Sequence, residues 1–313
     1  MPLDPQAQDF LDRLKRVNAP ALTDLTLRQI RNLPMAVSGN PEPVAKVSDS
    51  TVPGSDGNQI PVRIYWPAGW SESSAPASAL ILYHGGGWVM GTLDLYDSLA
   101  RSLANSGSCV VVSVDYRLAP EHRFPAAAED SHSVTVYVGQ HAEALGIDRE
   151  RLFVCGDSAG GNLAVVVALM ARDRGSVRIA GQVLVYPIAD CDFETQSYRA
   201  SAEGYFLTRS AMQWFWDQYA PDADARNHAY ASPLKAESLA DLPPAWVMTA
   251  GFDPLRDEGE ALATRLQTAG VSTHLEQFPG QIHGFLRRTD LYDDARHAIQ
   301  LIGKFVSGTP AAT

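Results

Sequence analysis

Cysteine is scarce in this 313-residue chain: Cys109, Cys155 and Cys191 are the only three. An odd number at spacings that match no zinc pattern suggests neither a disulfide framework nor a structural metal. Cys109 and Cys155 lie in or beside Val-rich stretches and read as small buried hydrophobes. Positive charge is also short. Lys and Arg number 25 against 36 Asp and Glu, which leaves a net charge of −11. Such a surface repels phosphate backbones and anionic lipid headgroups, so neither nucleic acid nor a membrane is an expected partner. Long apolar runs are missing as well; the longest, Leu163 to Ala171, falls far short of a bilayer span. The opening MPLDPQAQDF has no basic region followed by an apolar run, so no export signal is expected, and a reducing cytoplasm is the expected compartment. No internal repeat or low-complexity tract is visible, although SESSAPAS (71–78) reads as a loop.

What is present is an ordinary globular composition, 45% hydrophobic and 9% aromatic, which excludes intrinsic disorder. A chain of this length should remove about three quarters of its unfolded surface from water. Phe10, Leu11, Leu14 and Val17 recur at helical spacing, and Leu25, Leu27, Ile30 and Leu33 suggest a second short helix. From Val44 the pattern becomes extended. Pro53 to Asn58, which contains Asp56-Gly57, reads as a hairpin turn leading into a strand over Ile60 to Trp66. Short apolar runs then alternate with helical patterns. The runs are Ala79 to Tyr83, Cys109 to Val114, Leu152 to Cys155, Ile179 to Tyr186, Ala245 to Ala250 and Thr273 to Phe278; the helical stretches are 94–105, 126–139, 159–173, 255–269 and 291–306. Several runs are continuous rather than alternating, as in strands buried on both faces. The fold class is therefore α/β, a mostly parallel sheet flanked by helices. Nearly sixty residues between Tyr186 and Ala245 lack an obvious strand and carry Tyr205, Phe206, Trp214, Phe215, Trp216 and Tyr219. An insertion of that length is expected to cap a strand end. The expected organisation is N-terminal cap helices over 1–42, a catalytic core over 43–187 and 229–313, and a cap insertion over 188–228.

Gly156-Asp157-Ser158-Ala159-Gly160 fits G-x-S-x-G, a pattern that a chain of this length meets by chance about one time in ten. The context raises its weight: a predicted strand ends at Cys155 and an apolar helix begins beyond Ser158, so the serine occupies a strand-to-helix turn that lifts its hydroxyl above the sheet. A serine there could simply cap the helix. To act as a nucleophile it needs a base and an orienting acid. His84-Gly85-Gly86-Gly87-Trp88 follows the predicted strand Ala79 to Tyr83 directly. Consecutive glycines let backbone N–H groups converge on a carbonyl oxygen that becomes negative, together with the amide of Ala159. No Lys-Ser/Thr follows them, so a phosphate-binding P-loop fails, and His84 reads as a positioning residue.

In α/β-hydrolases the acid and base follow the serine, each after a later strand. Asp253 stands just beyond Ala245 to Ala250, where it could also cap the next helix ahead of Pro254; Asp257 is the rival, one turn further along. His283 follows the strand Thr273 to Phe278 through the loop Pro279-Gly280-Gln281-Ile282, whereas His274 falls inside that strand and His297 on the last helix.

These segments are similar to those of a known family. HGGGW (84–88), DYRLAPEHRFPAA (115–127), GDSAGGN (156–162), YASPL (230–234), DPLRDEG (253–259) and IHGF (282–285) occur in order over most of the chain, which resembles the bacterial esterases of the hormone-sensitive-lipase group of α/β-hydrolases. The resemblance implies an eight-stranded sheet with its second strand antiparallel, and a helical cap built from the N-terminus and the insertion. It implies hydrolysis of short- to medium-chain carboxylic esters with no metal or organic cofactor, and a homodimer as an option for assembly. By motif, Ser158, Asp253 and His283 would form the triad, and Gly85, Gly86, Gly87 and Ala159 would supply the oxyanion amides. Trp88, Met90, Asp157, Tyr186, Phe206, Trp214 and Ile282 are the candidates for the substrate pocket. Asp115, Arg117 and Glu121 match a segment read as scaffold, a buried polar network under the site. Three alternatives stand beside this reading: a non-catalytic receptor, an amidase using the same triad, and an interaction module with vestigial chemistry.

Overall fold

Valine dominates the strands at the centre of the sheet, and the computed structural model, which describes residues 2–33 and 41–308, buries those strands on both faces. Two helices precede the sheet, α1 (Pro5–Arg16) and α2 (Leu27–Arg31). Of the second helix expected from Leu25 to Leu33, only this short piece forms, behind the capping box of Thr26 and Gln29. The chain continues through β1 (Lys46–Pro53), β2 (Gln59–Trp66), β3 (Ala77–Tyr83), α3 (Leu93–Gly107), β4 (Val110–Val114), α4 (Ala126–Gln140), β5 (Ile147–Asp157), α5 (Ala159–Arg174) and β6 (Gly181–Val185). The insertion holds α6 (Gln196–Ala200), α7 (Arg209–Tyr219) and α8 (Ala223–Asn227). It is followed by β7 (Ala245–Phe252), α9 (Arg256–Thr268), β8 (Thr273–Ile282) and α10 (Asp293–Ser307).

The eight strands form one sheet in the order β1-β2-β4-β3-β5-β6-β7-β8, with β2 antiparallel to both neighbours and every other pairing parallel. Successive residues of each strand face opposite ways, which divides the apolar core into two layers. Ile81, Val112 and Val154 point to the side of α5, while Leu80, Leu82, Val111 and Cys155 point to the side of α3 and α10. Every side chain of α5 from Ala159 to Ala171 is buried, as expected of a helix that is apolar all round. Cys109 and Cys155 are buried in the second layer, and burial pushes the Cys109 thiol up to about 12. Among the described residues no helix is long and apolar enough to cross a membrane.

One expectation needs correction here. Pro279-Gly280-Gln281-Ile282 is not a loop: β8 runs through it to Ile282 after a register shift against β7. The strand lies at the sheet edge and pairs on one side only, so Pro279 has no second ladder to break.

Candidate active site

The serine turn is built by close backbone approach. A Cβ on Gly160 would stand 2.0 Å from the Tyr83 carbonyl oxygen, so only glycine lets α5 begin this near β3. Ser158 sits at φ 57°, ψ −119°, a conformation that costs about 1–3 kcal/mol for a non-glycine residue. It is held there from both sides. The Ser158 N–H donates to Val185 O at 2.9 Å, and its carbonyl accepts from the N–H groups of Asn162 and Ile188 at 3.0 and 3.2 Å.

His283, the first residue beyond β8, brings its Nε2 to 3.0 Å from Ser158 Oγ and its Nδ1 to 2.7 Å from Asp253 Oδ2. Asp253 follows β7 directly and has no exposed surface, while Ser158 and His283 keep only 6% and 8% exposure. The other carboxylate oxygen of Asp253 accepts the Leu255 N–H at 2.9 Å in the turn ahead of α9; the helix-capping alternative is not met, since α9 begins at Arg256 behind Leu255 and no side chain caps it. The rival Asp257 is engaged elsewhere: its Oδ2 accepts the Ser197 N–H at 2.7 Å, and its Oδ1 pairs with Arg256. Tyr186 packs beneath the imidazole, with ring centroids 4.7 Å apart.

The glycine loop is held from below. Asp157, next to the serine, accepts the Tyr96 hydroxyl at 2.7 Å, and the Gly85 N–H donates to Tyr96 Oη at 2.7 Å and to Asp157 Oδ1 at 3.1 Å. Burial raises the Tyr96 phenol well above its ordinary range, which keeps it a donor. This corrects the expectation for Gly85: its N–H is already spent on that pair of acceptors and is not available to an oxyanion. The N–H groups of Gly86, Gly87 and Ala159 donate to no group among the described residues. His84 is fully buried, stacks on Tyr116 at 4.2 Å and donates from Nδ1 to Gly85 O at 3.0 Å; burial lowers it to about 4, so it is neutral.

The pocket candidates separate. Met90 stays beside Gly86, since the place of a Gly86 Cβ lies 2.9 Å from Met90 Cγ. Phe206, 44% exposed, lies against Gly284 and stacks edge-on with Phe10 of α1. Trp214 is half-buried and meets Phe215 edge-to-face at 5.4 Å. Three expectations are corrected. Asp157 turns inward under Gly85, because the acceptors needed there leave it nothing for a pocket wall. Ile282 faces the α10 layer, one residue out of phase with His283 at the strand end. Trp88 is fully buried, stacked on Tyr219 at 4.0 Å and edge-on to Trp216, so its ring belongs to the packing between loop and insertion. The network expected under the site from Asp115, Arg117 and Glu121 is split instead. Arg117 forks onto Asp130 and reaches Asp56 in the hairpin turn, while Glu121 pairs with Arg31. Tyr96 and Arg31 carry no signal in the sequence, and Phe215 stands out there only as one of the insertion's aromatic cluster. A Gly87 Cβ would meet Phe215 Cδ1 at 2.1 Å, so the insertion rests directly on the glycine loop. No spacing rule links these three residues to HGGG; the fold alone brings them there.

An eight-stranded, mostly parallel sheet with a serine on its central strand-to-helix turn, and an acid and a histidine after its last two strands, defines an α/β-hydrolase. The sequence pattern of the α/β-hydrolase fold family matches residues 80–287. The carboxylesterase NlhH of Mycobacterium tuberculosis is 40% identical over 264 residues, 83% of this chain and 80% of its own. The arylesterase of Saccharolobus solfataricus is 37% identical, covering 91% of this chain and 93% of its own. An ester-hydrolase from the metagenome of Lake Arreo, solved with a bipyridine phosphonate derivative, superposes with a TM-score of 0.92 at 39% identity and covers 98% of both chains. The chain belongs to the α/β-hydrolase family, in its hormone-sensitive-lipase-like group.

Proposed function

We propose that this chain is a serine carboxylesterase acting on short- to medium-chain carboxylic esters. The observation that carries the reading is His283 suspended between Asp253 Oδ2 at 2.7 Å and Ser158 Oγ at 3.0 Å, beside three backbone N–H groups with no acceptor among the described residues. His283 takes the Ser158 proton as Oγ attacks the ester carbonyl, and the N–H groups of Gly86, Gly87 and Ala159 hold the resulting oxyanion. His283 then gives the proton to the leaving alcohol. Water attacks the acyl-serine by the same route in reverse and releases the acid. Asp253 keeps the imidazole in the tautomer that leaves Nε2 free to accept. The described residues of the 1–42 segment, together with 188–228, act as a cap over this centre; residues 34–40 lie outside the described residues.

Hydrolysis of p-nitrophenyl esters from C2 to C16, beside Ser158→Ala, tests the reading. A rate above the mutant that peaks at the shorter chains is expected. Rates equal to the mutant on every ester would overturn it. A preference for anilides over esters would move the assignment to an amidase.

A further inference from the structure

The N-terminal helix α2 touches the glycine loop through one side chain. Arg31 Nε donates to Val89 O at 2.9 Å, its Nη2 donates to Ala119 O at 2.9 Å, and both terminal nitrogens pair with Glu121 at 2.8 and 2.7 Å. The two carbonyls belong to one small unit. The Ala119 N–H donates to Trp88 O at 2.9 Å, and the N–H groups of Val89 and Met90 both donate to Gly86 O at 3.1 Å. A hydrogen-bonded path therefore runs from the guanidinium through Val89 to Gly86.

We propose that Arg31 is a positioning residue for the oxyanion hole, so that the N-terminal segment sets the geometry of catalysis as well as covering the site. The inference rests on the reading above in which Gly86 and Gly87 bind the oxyanion. Donors to an oxyanion are effective when they are fixed before the charge develops. Gly86 and Gly87, at φ 118° and 60°, have no side chains to fix them and lie outside the sheet ladder. Each neighbouring residue is secured differently. Gly85 is bound from below by Tyr96 and Asp157, and Gly87 is covered by Phe215. The Gly86 carbonyl is secured by Val89 and Met90, and Arg31 holds Val89 in turn. A planar guanidinium suits this task because its fork reaches two carbonyls and a carboxylate at once, a geometry an ammonium cannot copy.

The test compares wild type with Arg31→Gln, Arg31→Lys, Glu121→Gln and Ser158→Ala. It uses p-nitrophenyl butyrate, rates per serine titrated with a phosphonate (per mole of protein where Ser158→Ala is compared), and the Ki of a butyl trifluoromethyl ketone that forms an oxyanion on the serine. Arg31→Gln should lower kcat about 10- to 100-fold, a part of what losing a whole donor does, with KM changed less than about 3-fold. The ketone Ki should rise in proportion to the fall in kcat/KM. Arg31→Lys should fall between the two, and so should Glu121→Gln, whose amide oxygen accepts from one terminal nitrogen of Arg31 while its NH2 group faces the other. A kcat for Arg31→Gln within about 2-fold of wild type, or a lower kcat with an unchanged Ki, overturns the proposal. If Arg31→Gln does not fold, Arg31→Lys is judged by the same Ki criterion. A wild-type rate no higher than Ser158→Ala overturns the esterase reading itself, and the role of Arg31 with it.

Discussion

Replacing Asp253 by asparagine separates the two duties that its carboxylate performs. Oδ1 accepts the Leu255 N–H at 2.9 Å, and Oδ2 receives His283 Nδ1 at 2.7 Å. Only an oxygen can accept from Leu255, so that bond fixes the introduced amide with its NH2 group toward His283. The imidazole must then accept at Nδ1 and carry its proton on Nε2. In that tautomer Nε2 donates to Ser158 Oγ instead of accepting from it, and the base is disabled. The fully buried site also loses the charge that would balance an imidazolium. Together these effects should lower kcat by about 10³–10⁴, equivalent to about 4–5.5 kcal/mol of barrier. Stability should barely move, since the bond to the Leu255 N–H survives. Asp253→Ala, which removes both bonds, should cost about 1–3 kcal/mol in urea denaturation as well as activity. Stopped-flow hydrolysis of p-nitrophenyl butyrate at pH 8, with protein normalised by serine titration, reads the first effect. An Asn variant that keeps more than a tenth of wild-type kcat would refute the reasoning, as would an equally large loss in Asp257→Asn, whose carboxylate serves Ser197 and Arg256.

Tyr96→Phe removes the hydroxyl shared by the Gly85 N–H and Asp157, so it should destabilise the protein by about 1–3 kcal/mol in urea and lower kcat per titrated serine; unchanged stability would show that the bond contributes nothing. Acid should destabilise the fold through His84, which burial holds near 4 while an unfolded histidine titrates near 6.5. Between those values the unfolded chain binds the extra proton, so stability falls as pH drops through the window, by about 2 kcal/mol for His84 between pH 8 and pH 5. His132, lowered by its burial to about 4, adds in the same direction. Urea midpoints of wild type and His84→Phe at both pH values check this, and equal pH slopes in the two proteins would contradict it.

The residues that were legible from sequence share one property: they terminate strands. Ser158, Asp253 and His283 each stand immediately after a strand, and a strand that ends abruptly in a parallel sheet delivers its next residue to the same rim. What was illegible depends on contacts between distant segments. Three successive glycines look equivalent in HGGG, yet Gly85 differs because Tyr96 on the next helix and Asp157, 72 residues on, occupy its N–H. Trp88 reads as a pocket wall from its neighbours, but Tyr219 and Trp216 claim its ring. Pro279-Gly280 has the composition of a turn, and only the edge position of β8 lets it remain a strand. There Gly251 admits the Pro279 carbonyl oxygen to within 2.1 Å of where a Cβ would stand.

Backbone strain singles out the same region independently of any motif. Seven non-glycine residues among those described have positive φ, and four of them, Trp88, Ser158, Tyr186 and Phe206, are residues of the site or its surroundings. Each such conformation costs free energy and persists only where its neighbours over-determine it. Ser158 is fixed by three backbone hydrogen bonds, Trp88 by its stack on Tyr219, and Tyr186 by packing between His283 and Phe285. The supports come from different parts of the chain: β6 and α5 for the serine, the insertion for Trp88, and the strand end after β8 for Tyr186. A rigid centre assembled from separate segments loses its geometry when any one of them shifts. By the proposal above, Arg31, at the end of α2, is one such support, and disturbing it costs a part of what losing a residue of the triad costs.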